Sequence, residues 1–460
     1  MKRLALAFAI AACGTSTPTQ TQAPTPSQTP TPTPTEATPM SDEARARAFI
    51  DKLAKHDFAA ATATFDEKMT AALPKEKLEK VWAQLEAQAG ELKSIDSIDV
   101  KDVSDRDPKS VYLALVKASF AKAPMVLRVV FDSGHRITGF FMTPGDSAAA
   151  WTTPSYATPA SFEEKPIAVG SNPALPGILT LPKDAPKDGK GVPAVVLVHG
   201  SGPNDQDETI GALKVFKDLA WGLASRGVAV LRYDKRTRVA PLGVATQKEE
   251  VDDAAHAAIA LLAARPEIDS KRVALLGHSQ GGYLAPRIAK ADPAIKRLVV
   301  FAGSTRPLEE SIIAQTKYMM TLAPNNAGLA DQLKVAEAFK IAVNNPSLKP
   351  TDQLSVLGAA IPGSYALDVR GYHPETIAGQ LTIPILVMQG ERDYQVTVVD
   401  DFPAWKKSLA GKKNATLRTY PGLSHAFSAA SDPPSPADYT KPTHVNEKVV
   451  DDIANFLKAP

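Results

Sequence analysis

Apolar and polar positions along the 460-residue chain fall into three regimes. From Gly14 to Met40 repeated Thr-Pro units carry no apolar stripe, which describes an extended, polyproline-like tether. From Ser41 the period becomes helical. Ser41-Asp42-Glu43 offers an N-cap with acids in the first turn, and Phe49, Ile50, Leu53 and Phe58 follow at helical spacing; Leu78, Val81, Trp82 and Leu85 share one face of a second helix that starts at Lys75. After Gly90 alternation predicts strands at about 94–103, 110–120 and 125–131, then an Asp132-Ser-Gly134 turn and a fourth strand over 136–142. Residues 41–145 are therefore expected to form a small α+β domain of two helices and an antiparallel sheet.

Beyond the Pro- and Ser-containing connection at 144–159 the pattern changes again. Short, continuous, β-branched-rich runs at 195–198, 228–231, 273–276, 298–301 and 385–388 suit parallel strands covered on both faces. Helix patterns at 212–225, 247–264 and 281–291 lie between them, with Pro286 inside the last one at the expense of a backbone hydrogen bond. Strand, helix, strand in this rhythm predicts a mostly parallel, doubly wound α/β sheet over 160–460. A stretch of helix patterns at about 304–382 interrupts it as an insertion, in which Tyr318, Met319, Met320, Tyr365 and Tyr372 are either pocket lining or simply the insertion's own core.

Ligands of such sheets bind at the carboxyl ends of the strands, so the polar residues there carry the chemistry. Gly277-His-Ser-Gln-Gly281 ends one strand and opens a helix. A strand that reverses into a helix this sharply needs glycines around the turn, and the turn holds a serine hydroxyl clear of the sheet. The pentapeptide alone is weak, arising by chance in about one in seven chains of this length. Its setting makes Ser279 the candidate nucleophile. Serine needs an imidazole to take its proton and a carboxylate to orient that imidazole; a G-x-S-x-G turn on such a sheet resembles the nucleophile elbow of an α/β-hydrolase, for which the expected chain order is Ser, acid, His. Of eight histidines, at 56, 135, 199, 256, 278, 373, 425 and 444, only His425 and His444 lie beyond Gly390-Glu-Arg-Asp393. His425 directly follows the strand-like run 415–420, whereas His444 opens a terminal helix pattern. Asp393 is the expected acid, with Glu391 as the alternative, and Asp400 and Asp401 fall on the next helix. Backbone N–H groups of Gln280 and of Ser201, with Gly202 as second choice, are the expected oxyanion donors, because His199-Gly-Ser-Gly-Pro203 is a Gly-rich loop at the end of an earlier strand.

On these residues the segment 162–459 resembles a bacterial α/β-hydrolase of the carboxylesterase, dienelactone-hydrolase-like and serine-aminopeptidase-like group. The specific parts are Gly277-His-Ser-Gln-Gly-Gly282, Gly390-Glu-Arg-Asp393 and Leu423-Ser-His425. Dienelactone hydrolases proper carry cysteine at the nucleophile, and this chain has serine. The 41–145 block is similar to the small domain, with a fold like nuclear transport factor two, that often precedes such secreted hydrolases. The resemblance implies an α/β-hydrolase fold with a cap and the cleavage of a small-molecule carboxylic ester through an acyl-enzyme. A peptidase using the same machinery, or a non-catalytic envelope binding protein, are the other readings.

Composition narrows the partners. Lys plus Arg number 52 against 50 Asp plus Glu, a net charge of +2 with no basic cluster, which argues against nucleic acid. Cys13 is the only cysteine, so neither a disulfide framework nor a cysteine-based metal site is available, and His56 and His135 lack partners at metal-ligand spacing. No metal or cofactor is expected, and the oligomeric state is not legible. Met1-Lys-Arg3, the apolar run 4–12 and Ile10-Ala-Ala-Cys13 resemble a lipoprotein signal with its lipobox. That resemblance implies export, cleavage before Cys13 and a diacylglycerol anchor, leaving residues 14–40 as a linker at a membrane surface of the cell envelope.

Overall fold

The computed structural model of the protein describes residues 40–103, 111–145, 151–186, 191–240, 244–356 and 359–459. Cys13 and the Thr/Pro-rich linker expected at 14–40 lie outside the described residues, apart from Met40. Two compact units divide near residue 146.

In the first unit, helices Asp42–Ala54 and Lys75–Ala89 form where the periodicity places them, and the Ser41 hydroxyl caps the first by accepting from Ala44 N at 3.2 Å. Two short helices, Phe58–Thr62 and Glu67–Ala72, are added, each opened by an aspartate, Asp57 and Asp66, whose carboxylate accepts a first-turn N–H. Strands β1 (Leu92–Asp102), β2 (Tyr112–Phe120), β3 (Pro124–Phe131) and β4 (Ile137–Pro144) make an antiparallel meander in that order. Phe49, Ile50, Leu53, Trp82, Leu127 and Phe131 are fully or nearly fully buried where helices and sheet meet.

The second unit is built on an eight-stranded sheet. Its strands are β5 (Phe162–Val169), β6 (Leu175–Pro182), β7 (Val192–Val198), β10 (Ala229–Tyr233), β11 (Ile268–His278), β12 (Arg297–Phe301), β15 (Ile385–Gly390) and β16 (Ala415–Tyr420), the missing numbers being two-stranded ribbons, β8 (Thr209–Ile210) with β9 (Leu213–Lys214) and β13 (Gln353–Val356) with β14 (Ala359–Pro362). The spatial order is β16-β15-β12-β11-β7-β10-β6-β5, parallel from β16 to β10 and antiparallel through β6 and β5 at one edge. Alternate residues of β7 serve opposite faces, Val196 and Val198 packing with the helices Asp253–Ala263 and Gln280–Ala291, Val195 and Leu197 with Val215–Ala224 and Glu447–Lys458. Double coverage is why these strands read as unbroken apolar runs.

Three boundaries differ from the sequence expectation. The helix expected from 212 starts at Val215, because Leu213–Lys214 are spent on the β8–β9 ribbon. The helix expected over 247–264 opens as a π-helical stretch, Lys248–Asp252, before Asp253–Ala263. The cap expected over 304–382 is shorter: helices Leu308–Leu322 and Ala327–Val343 carry a small separate core of Ile312, Ala336, Phe339, Val343, Leu354 and Ala366. Helix Pro374–Gln380 instead joins the main core through Ala378, with Leu381 just beyond it, against the helix that follows Ser279. Among the described residues no helix is long and apolar enough to cross a membrane.

Candidate active site

Six loops leave the carboxyl ends of the parallel strands, and four bring together the residues singled out above. Ser279 sits between β11 and its helix at φ 54°, ψ −112°, a left-handed conformation that costs a non-glycine residue on the order of 1–3 kcal/mol. Two backbone bonds hold it there: Ser279 N–H donates to Phe301 O at 3.0 Å, and Tyr283 N–H to Ser279 O at 2.8 Å. The neighbouring glycines are steric necessities, since a Cβ on Gly277 would lie 2.2 Å from Gly281 O and one on Gly281 2.3 Å from Val198 O.

Asp393 and His425 meet by a similar close approach. A Cβ on Gly390, the last residue of β15, would lie 2.4 Å from Ser424 O, so its absence lets the loop after β15 lie against the loop after β16. Arg392 N–H then donates to Leu423 O at 2.9 Å. Within this zipped pair, His425 Nδ1 donates to Asp393 Oδ2 at 2.6 Å, with both side chains buried. The same oxygen accepts from Gln389 Nε2 at 2.8 Å, and Oδ1 accepts from Gln395 N at 2.7 Å and Val396 N at 3.0 Å. Asp393 is thus fixed on all sides and fixes the ring in turn, leaving Nε2 of His425 as its proton-accepting nitrogen. Glu391 points elsewhere, accepting from Thr419 Oγ1 at 2.7 Å. Asp401 is fully buried at the base of the cap, where it accepts from Ser304 Oγ and Thr305 N, each at 3.0 Å. His444 is spent on Asp218, its Nδ1 3.1 Å from Oδ1.

His425 touches the residue before Ser279. The rings of His278 and His425 have centroids 4.7 Å apart, and His278 Nε2 donates to the His425 carbonyl at 3.0 Å. Among the described residues none exchanges a hydrogen bond with Ser279 Oγ; bonds of this kind often tighten only with substrate in place. On the other side, a Cβ on Gly200 would lie 3.1 Å from Ser279 Cβ, so the loop after β7 borders Ser279 directly. The N–H groups of Ser201 and Gln280 find no acceptor among the described residues. Ser201 lies exposed in that loop, followed by Gly202 at φ 96°.

Three charged residues at this site were not singled out in the sequence. Glu208, buried and at φ 46°, accepts from Gly200 N at 2.7 Å through Oε1 and places Oε2 2.9 Å from His278 Nδ1. Burial alone would push the His278 imidazole down, but the Glu208 carboxylate and the His425 carbonyl outweigh it and hold its pKa above the ordinary value. Lys235, just past β10, and Glu250, in the π-helical stretch, form a buried ion pair at 3.0 Å. Burial works against the Glu250 carboxylate, yet Lys235 beside it keeps its pKa below the usual range. The strand-end rule that located Ser279 applies equally to Lys235, two residues beyond β10; Glu208 and Glu250 carry no comparable sequence signal. Among the cap aromatics, Tyr365 reaches the site by accepting from Gln280 Nε2 at 2.9 Å. Tyr318 stacks on Tyr394, and Tyr372 packs edge-on against Tyr283.

His199 gives the unit a pH dependence. It is packed beside Phe216 and Tyr233, its Nε2 donates to Asp205 O at 3.1 Å, and burial lowers its pKa to about 4. The unfolded imidazole, at about 6.5, takes up its proton first, so between these values the unfolded state binds more protons. Stability is therefore present above about pH 6.5 and is lost as pH falls towards about 4, this group contributing on the order of 3 kcal/mol. His278, with its raised value, acts in the opposite sense, its contribution fading as pH rises. In thermal melts, His199→Gln is expected to be less stable than wild type at pH 7.5 but to lose less between pH 6.5 and 4.5; parallel curves would refute this.

Comparisons with known proteins agree with this architecture. Residues 46–140 match a family described as a protein of unknown function, DUF3887, and residues 195–436 match the alpha/beta hydrolase family. Esterase EstD of Thermotoga maritima is 35% identical over 419 residues, covering 90% of this chain and 95% of its own. Among solved structures, Est1E from Butyrivibrio proteoclasticus is similar at 18% identity and a TM-score of 0.42, over 64% of this chain and 97% of its own. The Pyrococcus furiosus esterase Pf2001 is similar at 16% identity and a TM-score of 0.40, over 68% and 96%. With more than half its length matched to the family and a curated relative matched almost end to end, the chain belongs to the alpha/beta hydrolase family.

Proposed function

We propose that this protein hydrolyses carboxylic esters through an acyl-enzyme on Ser279. The observation that carries the reading is the buried 2.6 Å bond from His425 Nδ1 to Asp393, packed against His278, the neighbour of a serine held at φ 54° on a strand-to-helix turn. Ser279 Oγ attacks the ester carbonyl while its proton passes to His425 Nε2. The charge gathering on the carbonyl oxygen is taken by the free N–H groups of Ser201 and Gln280. Collapse of the tetrahedral adduct breaks the bond to the alkoxy oxygen, which leaves with the proton from His425. Water then repeats the sequence on the acyl-enzyme, releasing the carboxylic acid and restoring Ser279. The name of the relative EstD, an esterase matched over nearly its whole length, supports the same reaction class.

The expected result is turnover of short p-nitrophenyl esters together with stoichiometric labelling by a fluorophosphonate probe. Folded protein that neither turns over any ester nor takes the label would overturn the proposal. Aminoacyl anilides cleaved as fast as simple esters would replace it with a peptidase.

A further inference from the structure

The N–H groups assigned to the oxyanion belong to two residues on different strands' loops, and one buried cation touches both of their surroundings. Lys235 is 2% exposed, and its Nζ donates to Gly200 O at 2.8 Å and to Gln280 Oε1 at 2.7 Å while pairing with Glu250 Oε1 at 3.0 Å. Three ammonium protons thus meet three acceptors, which leaves none for a ligand. From this arrangement we propose that Lys235 is a positioning residue of the oxyanion site, orienting the Ser201 and Gln280 N–H donors around the nucleophile. The proposal rests on the ester-hydrolysis reading above.

Peptide geometry supplies the first half of the argument. Gly200 C=O and Ser201 N–H are the two ends of one planar trans peptide and point in opposite directions, so whatever holds the carbonyl aims the N–H. Lys235 Nζ holds that carbonyl together with Asn204 Nδ2, at 3.0 Å. Gly200 N–H is itself turned away from any substrate, donating to buried Glu208 at 2.7 Å. The peptide is therefore pinned before and after, and only the Ser201 N–H is left open. A hydrogen bond from a cation to the carbonyl also polarises the peptide, which strengthens its N–H as a donor in a low-dielectric site.

Energetics supply the second half. A buried ion pair is weak evidence for stability, since desolvating two charges offsets most of their attraction. Here the pair sits against the two donor residues instead of deep in an apolar core. The network also extends to the cap, where the Tyr365 hydroxyl donates to Glu250 and accepts from Gln280 Nε2 at 2.9 Å. Gln280 is thus held from below by Lys235 and from the cap side by Tyr365.

The test uses the full chain carrying Lys235→Met with Glu250→Gln, so that no carboxylate is stranded. Thermal midpoint, kcat and KM for a p-nitrophenyl ester, and affinity for a phenylboronic acid are measured; the boronate forms a tetrahedral adduct on serine whose oxygen needs the oxyanion donors. The expected result is kcat lower by about 100-fold with KM within threefold, and boronate affinity weakened by a similar factor in protein that remains folded. A folded variant with kcat and boronate affinity within threefold of wild type would overturn the proposal, as would a change confined to KM. If the double variant does not fold, Gln280→Met keeps the main-chain N–H and removes its tie to Lys235. About a tenfold fall in kcat at constant KM is then expected, and unchanged kcat would overturn the assignment. Failure of the underlying reading is distinguishable, because wild type itself would then neither hydrolyse esters nor take a fluorophosphonate.

Discussion

Ser279→Ala is expected to lower kcat on short p-nitrophenyl esters by about 10⁶-fold while leaving the fold intact, because a nucleophile, its base and their orienting acid act as one unit. Alanine keeps the Cβ at the left-handed turn, so the thermal midpoint is expected to stay within about 2 °C, since only the hydroxyl of a half-buried side chain that makes no hydrogen bond among the described residues is lost. Adding His425→Ala to that variant is expected to change kcat little further, as the first substitution already ends the relay. Asp393→Asn alone is expected to give about a 10⁴-fold loss, because an amide in that position favours the wrong imidazole tautomer. Steady-state assays with purified variants check all three. A kcat within tenfold of wild type for Ser279→Ala would remove Ser279 from the reaction, and a Ser279→Ala/His425→Ala loss equal to the product of two large single losses would show that the residues act separately.

The second large effect concerns a residue with no side chain. In Gly281→Ala the new methyl would lie 2.3 Å from Val198 O and 2.7 Å from His199 O, both main-chain atoms of the central strand and its end. Neither can turn aside as a flexible side chain could. The helix carrying the nucleophile must shift away from β7, and the stability of this unit is expected to fall by about 3 kcal/mol. A shift of ~1 Å between Ser279 and the Ser201 loop is expected to lower kcat a further 100-fold in whatever remains folded. Gly227→Ala is the control: that glycine is at φ +81° with no heavy atom within 4 Å of the added Cβ, so about 1 kcal/mol of backbone strain is expected with kcat unchanged. Melting curves and active-site titration of the two variants separate the outcomes. Equal stability losses would mean that crowding at Gly281 is relieved without movement of the helix.

Legibility in the sequence followed the range of the forces involved. Parallel strands buried on both faces had to be apolar without interruption; four of the five runs read that way lie wholly within strands of the sheet, and the fifth, 228–231, enters β10 at Ala229. Of the antiparallel pair β5–β6, the edge strand β5 was missed because an edge strand obeys looser rules. Glu163, Glu164, Lys165 and Pro166 are tolerated in β5 where one side faces no neighbour, and in sequence they look like a loop. Helices Phe58–Thr62 and Glu67–Ala72 were also missed, being too short for a period to emerge. At the site, Ser279, Asp393 and His425 could be proposed because strand ends and chain order constrain them. Lys235 stood within reach of the same strand-end rule, but Glu208 and Glu250 became visible only in three dimensions: their partners are 8 to 70 positions away, and no local pattern distinguishes a buried charge with a partner from a solvated one.

The cap's separate interior has a consequence for how this enzyme can change. Ile312, Phe339 and Leu354 pack with one another and not with the sheet, so substitutions among them alter the shape and rigidity of the roof while the strands beneath are undisturbed. Mutations in the roof and mutations in the floor should then contribute additively to stability. That independence fails where roof side chains bond to the floor: Tyr318 donates to Pro434 O, Ser364 to Ala245 O, and the Tyr365 hydroxyl is shared with the charges around Lys235. New substrate preferences can accumulate overhead at little risk to the acyl-transfer machinery, provided that these ties, and above all the one through Tyr365, are kept.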